Sequence, residues 1–419
     1  MSTQRVVVTG LGAITPLGLD VASTWAGLLA GRSGAGPITS FDTSNMDVRF
    51  GCEVKGFDPR AFMDPREARR TDRFSQFALA AAREAMKDAG FGDESLAGQG
   101  IDSTRCGVII GTGIGGVITL AETIRALDQK GPGRMSPLAV PMLMGNAAAA
   151  HIAIAYGLRG PSYAITSACA TGNNTLGEAM ETIKRGDADF MVAGGAEAAL
   201  VPFAIASLAN AGALSKRNDD PQGACRPFDA TRDGFVYGEG AGVLILESLD
   251  HARRRGAPIY AEFCGYGMTS DAYHITAPIE GGGGLARAMR IALAKANVQL
   301  GDVDYINAHG TSTPLNDKSE TQAIKAVFGD HAYKLAVSST KSMTGHLIGA
   351  AGAVEAIAVA LMIKHNVIHP TINYRTPDPE CDLDYVPNVA RQAVVNVAMS
   401  NSAGFGGHNA SIVLRKLAS

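Results

Sequence analysis

Charge is scarce in this chain. Asp, Glu, Lys and Arg make up 18% of its 419 residues, against roughly 25% in an average soluble protein. An excess of either sign is missing too, with 37 basic residues, 40 acidic ones and a net charge of −3. That balance gives no global field for nucleic acid or an anionic membrane, although it leaves room for a local basic patch. No two cysteines stand as C-x-x-C, which excludes zinc ribbons and thioredoxin-like redox motifs. The six that exist (Cys52, Cys106, Cys169, Cys225, Cys264 and Cys381) are widely spread, and are expected to be reduced, mostly buried thiols of a cytoplasmic protein. Uninterrupted apolar runs are also lacking. Pro137 to Leu158 carries no acidic or basic side chain, but Pro141, Gly145, Asn146 and His151 break it. Ala198 to Leu214 is broken by Pro202, Ser207 and Asn210. Both read as buried helices rather than bilayer spans, so no membrane role is expected. Met1 to Val8 has no apolar segment with a cleavage site, so no signal peptide is expected.

What is present is a large aliphatic core. Hydrophobic residues reach 46%, and Gly accounts for 50 positions. Disorder needs the opposite composition. Collagen would need Gly at every third residue, a period this chain lacks. No Pro-rich or Ser-rich linker divides it. Apolar runs of strand length recur at Arg5–Thr9, Cys106–Ile110, Ala164–Ser167, Phe190–Ala193, Gly242–Glu247, Tyr305–Ala308, Leu335–Ser338 and Val394–Met399. Gly-rich turns are expected after Thr9, and a helix around Val21 to Ala30. Phe74 to Ala89 has helical spacing and stops at Gly90, a good cap. Strands alternating with helices predict an α/β chain whose sheets are covered on both faces. One faint internal repeat pairs Cys169-x-x-Gly172 with His346-x-x-Gly349, each between a strand and a long helix.

Two patterns mislead. Gly111-Thr-Gly113-Ile-Gly-Gly116 follows a strand and matches the dinucleotide fingerprint, but no second strand with a terminal acid follows. Close packing of a strand–helix turn explains these glycines better. His365 and His369 stand four apart, but Pro370 and the lack of a third ligand argue against a metal.

Four other residues carry chemistry. Cys169 sits between a strand end and a helix start among small neighbours; N–H groups there lower a thiol pKa. A small buried hydrophobe is the plain alternative. His309 follows a strand in Asn-Ala-His-Gly-Thr-Ser-Thr, where a structural His is the alternative. His346 closes Lys341-Ser-Met-Thr-Gly-His, and Lys341 stands in a nearly uncharged stretch with Glu355 as the only nearby acid. A buried lysine needs such a partner; a solvated loop lysine is the alternative. Together Cys, His, His and Lys are an inventory for thioester exchange and carbanion chemistry: a nucleophile, two donors for a developing oxyanion and a field-setting charge.

These motifs carry a resemblance. Thr166-Ser-Ala-Cys-Ala-Thr-Gly172, Asn307-Ala-His-Gly-Thr-Ser-Thr313, Lys341-Ser-Met-Thr-Gly-His346 and Gly404-Phe-Gly-Gly407 occur in order. With Arg232-Asp-Gly-Phe and Ser270-Asp-Ala-Tyr-His, they make the chain resemble the β-ketoacyl-acyl carrier protein synthases over essentially its whole length, and most closely the type II condensing enzymes of bacterial fatty acid synthesis. The resemblance implies a thiolase fold, with two duplicated α/β halves in five layers αβαβα, residues 1–257 and 258–419, as a homodimer. It implies Cys169 as nucleophile, His309 and His346 as enolate stabilisers, Lys341 with Glu355 in support of His346, and Phe405 as gate and oxyanion-hole backbone. Thr311 and Thr313 would bind the pantetheine arm, and Ile114 would limit the acyl tunnel. No cofactor and no metal are implied; the substrates arrive on acyl carrier protein. That acidic partner would dock on Arg66, Arg69, Arg70 and Arg73, with Arg134, Lys216 and Arg217 as an extension, although a solvated helix face is the plain reading. Gly133 and Gly212 stand where relatives carry arginine. Ala403 and Ala139 stand where Phe is common, which predicts a pocket for longer or bulkier acyl chains. A thiolase would need a second Cys near the C-terminus, and none follows Cys381. A non-catalytic chain-length factor would lack Cys169. A ketosynthase of aromatic polyketide assembly would share all of these motifs.

Overall fold

The computed structural model describes residues 4–92, 96 and 100–418. The main sheet has ten strands. The first five are β1 (Val6–Ile14), β2 (Cys106–Gly111), β3 (Ser162–Tyr163), β4 (Phe190–Glu197) and β5 (Gly240–Ser248). The second five are β6 (Ala261–Ser270), β7 (Tyr305–Asn307), β8 (Ala336–Ser338), β9 (Val397–Gly404) and β10 (His408–Arg415). In space they run β8-β7-β9-β10-β6-β1-β5-β4-β2-β3. Counted from the middle, both fives have the same order. Their directions repeat as well. β2 is parallel to β3 and β4, while β5 is antiparallel to β4 and β1. β7 is parallel to β8 and β9, while β10 is antiparallel to β9 and β6. The fives join through Val6–Phe263, Val7–Glu262 and Val8–Ala261.

Six helices cover the strands: α1 (Arg73–Asp88), α2 (Ala147–Tyr156), α3 (Thr171–Lys184), α4 (Gly283–Ala296), α5 (Pro314–Phe328) and α6 (Ala351–His365). Alternation along each strand decides what each face meets. In β5, Val243 and Ile245 face Phe77, Ala81 and Ile152 of α1 and α2. Leu244 and Leu246 face the other way, toward Leu176 and Met180 of α3 and Ile357 of α6. In β10, Ile412 and Leu414 join that same central cluster, and Val413 packs with Met289 of α4 and Ile324 of α5. The layers are therefore α, β, α, β, α, the thiolase fold expected from the resemblance. The span 348–365, which includes α6, is long and apolar enough to cross a membrane by composition, but 89% of it is buried inside the protein.

Three local expectations are corrected. β1 does not stop at Thr9: it runs on through Gly10 and Gly12, because a Cβ there would overlap the carbonyls of Ala85 and Ala81 in α1. These glycines admit a helix rather than make a turn. The expected strand Ala164–Ser167 lies outside the ladder, since the pairing ends with Ser162–Tyr163. The strand expected from Val394 begins at Val397. The repeat also has a different register. Turn Ala168–Ala170 leads into α3 as turn Ile348–Ala350 leads into α6. Gly172 therefore matches Gly352, and Cys169 matches Gly349. The two helices meet at those glycines: a Cβ on Gly172 would lie 2.7 Å from the nitrogen of Ala353, and one on Gly352 would lie 2.7 Å from that of Asn173.

This crossing is testable. Gly352→Ala is expected to cost about 1–3 kcal/mol through overpacking of backbone on backbone. The measurement is the midpoint of chemical denaturation; an unchanged midpoint would contradict so close an approach.

Candidate active site

Both turns that start the central helices are strained. Ala168 has φ 51° and Ile348 has φ 49°, a region that β-branched residues rarely enter. The first turn brings Cys169 to the floor of a cavity of about 540 Å³, whose lining also includes Ile114, Phe235, Thr311, Ala403 and Phe405. His309 lies just past β7, where its N–H and that of Gly310 each donate to Glu320 at 2.8 Å. His346 is clamped by its backbone, donating to Val236 at 2.7 Å and accepting from Gly238 at 3.0 Å. Cys169 Sγ and one nitrogen of each His lie within 4.8 Å of one another, all buried. The two rings meet edge to face, with centroids 5.4 Å apart.

The hydrogen bonds set the tautomer of His346. Ile348 N–H donates to its Nδ1 at 3.2 Å. The ring proton is therefore on Nε2, which is buried and has no partner within the protein. It is a donor waiting for an acceptor. His309 likewise has its buried Nδ1 unpartnered. Lys341 and Glu355 form an ion pair, each 1% exposed. Burial, the Lys341 charge and His346 hold His309 well below the ordinary imidazole range. Burial and Lys341 do the same for His346. Both rings are neutral at pH 7.

Cys169 departs from the expectation of a lowered pKa. Burial pushes its thiol up to about 11, against the pull of Lys341 and of the Phe405 and Cys169 N–H groups. Desolvation outweighs the helix start. Those two N–H groups converge because Gly404 passes close: a Cβ there would lie 3.0 Å from the nitrogen of Cys169. Phe405 is 39% exposed, at a hairpin tip between Gly404 and the left-handed Gly406 and Gly407. Thr311 and Thr313 share a 3.0 Å hydroxyl contact on the cavity wall. By ligand type the Cys and two His could hold a thiophilic ion, but the Lys341 charge beside them opposes a cation.

The remaining expected residues are more scattered. Ala139 does not line the cavity; it is buried in the short helix Ala139–Leu143, which supports the Gly115–Gly116 turn through Leu143. Arg66, Arg69, Arg70 and Arg134 are exposed. Arg73 is not a free cation: it pairs with Glu239 at 2.8 Å and lies 4.5 Å over Phe77. Lys216 pairs with Asp47 at 2.8 Å and Arg217 with Asp233 at 3.2 Å. His365 stacks on Trp25, while His369 is buried against Tyr305 and Asn307, so the two do not share a site.

Comparison with known proteins fits this geometry. The family descriptions "Beta-ketoacyl synthase, N-terminal domain" and "C-terminal domain" match residues 3–252 and 260–375. The chain belongs to the β-ketoacyl synthase family. This synthase is 52% identical to the 3-oxoacyl-[acyl-carrier-protein] synthase 2 of Synechocystis, over 99% of each chain. It is equally similar to the Staphylococcus aureus protein of that name, over 99% and 98%. A Burkholderia phymatum β-ketoacyl synthase superposes with a TM-score of 0.91 at 36% identity, covering 99% and 100%. A ketosynthase solved with a type II polyketide acyl-carrier protein gives 0.91 at 39%, covering all of both chains.

Sequence reasoning passed over Glu197. This buried carboxylate ends β4 and accepts from Gly113 N–H at 2.6 Å, Gly349 N–H at 3.1 Å, and Ile114 N–H and the Thr112 hydroxyl at 3.2 Å. Burial pushes its pKa up to about 7. It fills the Gly-rich loop where a nucleotide phosphate would sit. A signal existed: Glu197 is the only charge between Asp189 and Lys216. Glu320, buried and likewise raised to about 7, lay hidden in a charged helix.

With the Cys169 thiol near 11, the thiolate fraction grows about tenfold per pH unit below that value. Alkylation of Cys169 by iodoacetamide should rise by about that factor per unit from pH 7 to 9. A plateau below pH 8 would contradict the buried-thiol assignment.

Proposed function

We propose that this synthase elongates fatty acids by decarboxylative condensation, as a 3-oxoacyl-[acyl-carrier-protein] synthase. The observation that carries the reading is the unpartnered, buried Nε2–H of His346 beside Cys169 and His309. In the first step the Cys169 sulfur attacks an acyl thioester on acyl carrier protein. Its proton passes to the departing pantetheine thiolate. The N–H groups of Cys169 and Phe405 hold the transient oxyanion. In the second step malonyl-acyl carrier protein loses CO2, and the electrons of the broken C–C bond become an enolate. His346, with His309, donates to the enolate oxygen. The carbanion carbon attacks the Cys169 thioester, the C–S bond breaks, the released Cys169 thiolate takes a proton from water, and the product is a 3-oxoacyl chain two carbons longer. Neutral imidazoles suit this step, because they donate a hydrogen bond to the enolate oxygen without transferring the proton.

Each partner residue has a place in this reading. Lys341, paired with Glu355, adds its charge to the burial that keeps His309 and His346 neutral. Thr311 and Thr313 hold the pantetheine arm, and Phe405 gates the two steps. Ile114 limits the acyl tunnel, and Ala403 widens it beside Cys169. No cofactor or metal takes part. Arg66, Arg69, Arg70 and Arg134 receive the acidic acyl carrier protein, a role that steering by a local patch permits. The two functional halves divide at Pro258, between the repeated sets of strands. A second copy covers the exposed Ile124, Val140, Ile154 and Phe203, which are 52%, 63%, 80% and 53% exposed. The short strand β3 at the sheet edge leaves both its residues exposed there, as a place for strand pairing. Six unpaired, buried cysteines suit a reducing cytoplasm. Polyketide assembly is the second reading, favoured by the ketosynthase neighbour at 39% identity and weighed down by relatives at 52%.

Intact-protein mass spectrometry tests the first step. Acyl-acyl carrier protein should add one acyl group to wild type and none to Cys169→Ala; acylation of the variant would move the nucleophile elsewhere. His346→Ala should still acylate, but its condensation should fall by about 10²–10³, the usual cost of one oxyanion donor. The same assay over a series of acyl chains should peak at long chains; a peak at short ones would refute the widening by Ala403. Charge reversal at Arg66, Arg69 and Arg70 should raise KM for acyl carrier protein several-fold, mainly at low salt, and leave kcat in place.

A further inference from the structure

Glu197 lies where three parts of the site meet. Its donors come from both halves of the fold: Thr112, Gly113 and Ile114 in the loop after β2, and Gly349 in the turn before α6. The loop carries Ile114 into the acyl cavity. The turn carries Ile348, whose N–H fixes the ring of His346 and whose side chain lines the same cavity. Packing leaves little room for any other arrangement. A Cβ on Gly113 would lie 2.6 Å from the Ile348 side chain and 2.7 Å from the Glu197 carboxylate. One on Gly349 would lie 2.5 Å from the Gly113 nitrogen and 2.9 Å from the same carboxylate. Ile348 holds a left-handed φ of 49° that its branched side chain disfavours. A strained turn persists only when its surroundings over-determine it, and Gly349 N–H on Glu197 is the next bond along the chain. The Glu197 carboxylate accepts at both oxygens, Gly113 and Gly349 on one and Ile114 and Thr112 on the other; an amide would put a donor against one of these sets.

We infer that Glu197 is a positioning residue: it ties the acyl-pocket loop at Ile114 to the turn that presents His346, so that the shape of the pocket and the enolate-binding step are coupled. The inference rests on the condensation reading. Glu197 touches no reacting atom. Its loss should spare the attack by Cys169, which depends on the first turn, and should damage the step that needs the His346 tautomer.

The test separates the half-reactions in Glu197→Gln. Acyl transfer to Cys169 from acyl carrier protein carrying a chain too short to reach Ile114, followed by intact mass, should stay within about twofold of wild type. Release of CO2 from malonyl-acyl carrier protein by the acylated enzyme should fall at least about tenfold, a loss of about 1.4 kcal/mol. The chain-length profile should shift as Ile114 is freed. Glu197→Asp keeps both acceptor oxygens on a shorter stem and should recover part of the CO2 release; it carries the test by the same split if the Gln variant does not fold. Equal losses in both half-reactions, or no loss in either, would overturn the inference. Wild type assayed in parallel guards the premise: no 3-oxoacyl product from wild type would sink the condensation reading itself, whereas full CO2 release by Glu197→Gln would sink this coupling alone.

Discussion

The site depends on one buried ion pair. Lys341 and Glu355 lie deep in the protein, each with 1% of its surface exposed. Desolvating two charges is expensive, and a buried pair is not by itself a source of stability. Its effect is electrical. The ammonium lowers the proton affinity of both imidazoles and opposes, without overcoming, the burial that raises the thiol. Glu355 sits on α6, and Lys341 opens the short helix that leads to His346. The pair therefore also pins the start of that helix to the central layer. Removing Glu355 would leave the buried Lys341 ammonium without its ion-pair partner, and removing Lys341 would leave the Glu355 carboxylate without its own.

Duplication explains where the chemistry sits. Two copies of one strand order meet back to back, and their central helices cross at Gly172 and Gly352. Each helix is preceded by a turn with a left-handed first residue. One turn exposes the Cys169 sulfur. The other puts Gly349 at the matching place and uses its bare N–H for Glu197. The same turn thus carries a cysteine to the cavity in one half and a bare N–H onto Glu197 in the other. The strain at Ala168 and Ile348, of order 1–3 kcal/mol each, is held by a scaffold buried on every side.

Much of this was legible in the sequence, for identifiable reasons. Continuous apolar runs located most strands, because both sheet faces are buried. Lys341 and Glu355 stood out as charges in an apolar stretch, and they do pair. The short motifs marked Cys169, His309 and His346, which the fold brings within 4.8 Å. What failed was whatever depends on a neighbour remote in sequence. Gly10 and Gly12 read as turn residues, because the helix that needs their missing Cβ lies about 70 residues on. The repeat was aligned on its reactive side chains, whereas structure aligns it on backbone turns. Arg73 looked like a docking cation until Glu239 and Phe77 came into reach. The thiol pKa was judged from the helix start, which sequence reveals, and not from depth, which it does not.

The protonation states fit the order of the two steps. A thiol with a pKa near 11 is mostly uncharged at pH 7, which limits the thiolate open to a metal or an oxidant. The thiolate gains its stabilising N–H groups and the Lys341 field in the same place where an acyl carbonyl would bind. In the proposed reaction an acylated sulfur could no longer ionise, and the Lys341 field would act on the enolate instead. The same two neutral imidazoles would then face a developing anion with their protons in place, fixed for His346 by a backbone N–H. In the proposed reaction one buried ammonium would serve both half-reactions, because the negative charge it favours would move from sulfur to enolate oxygen between them.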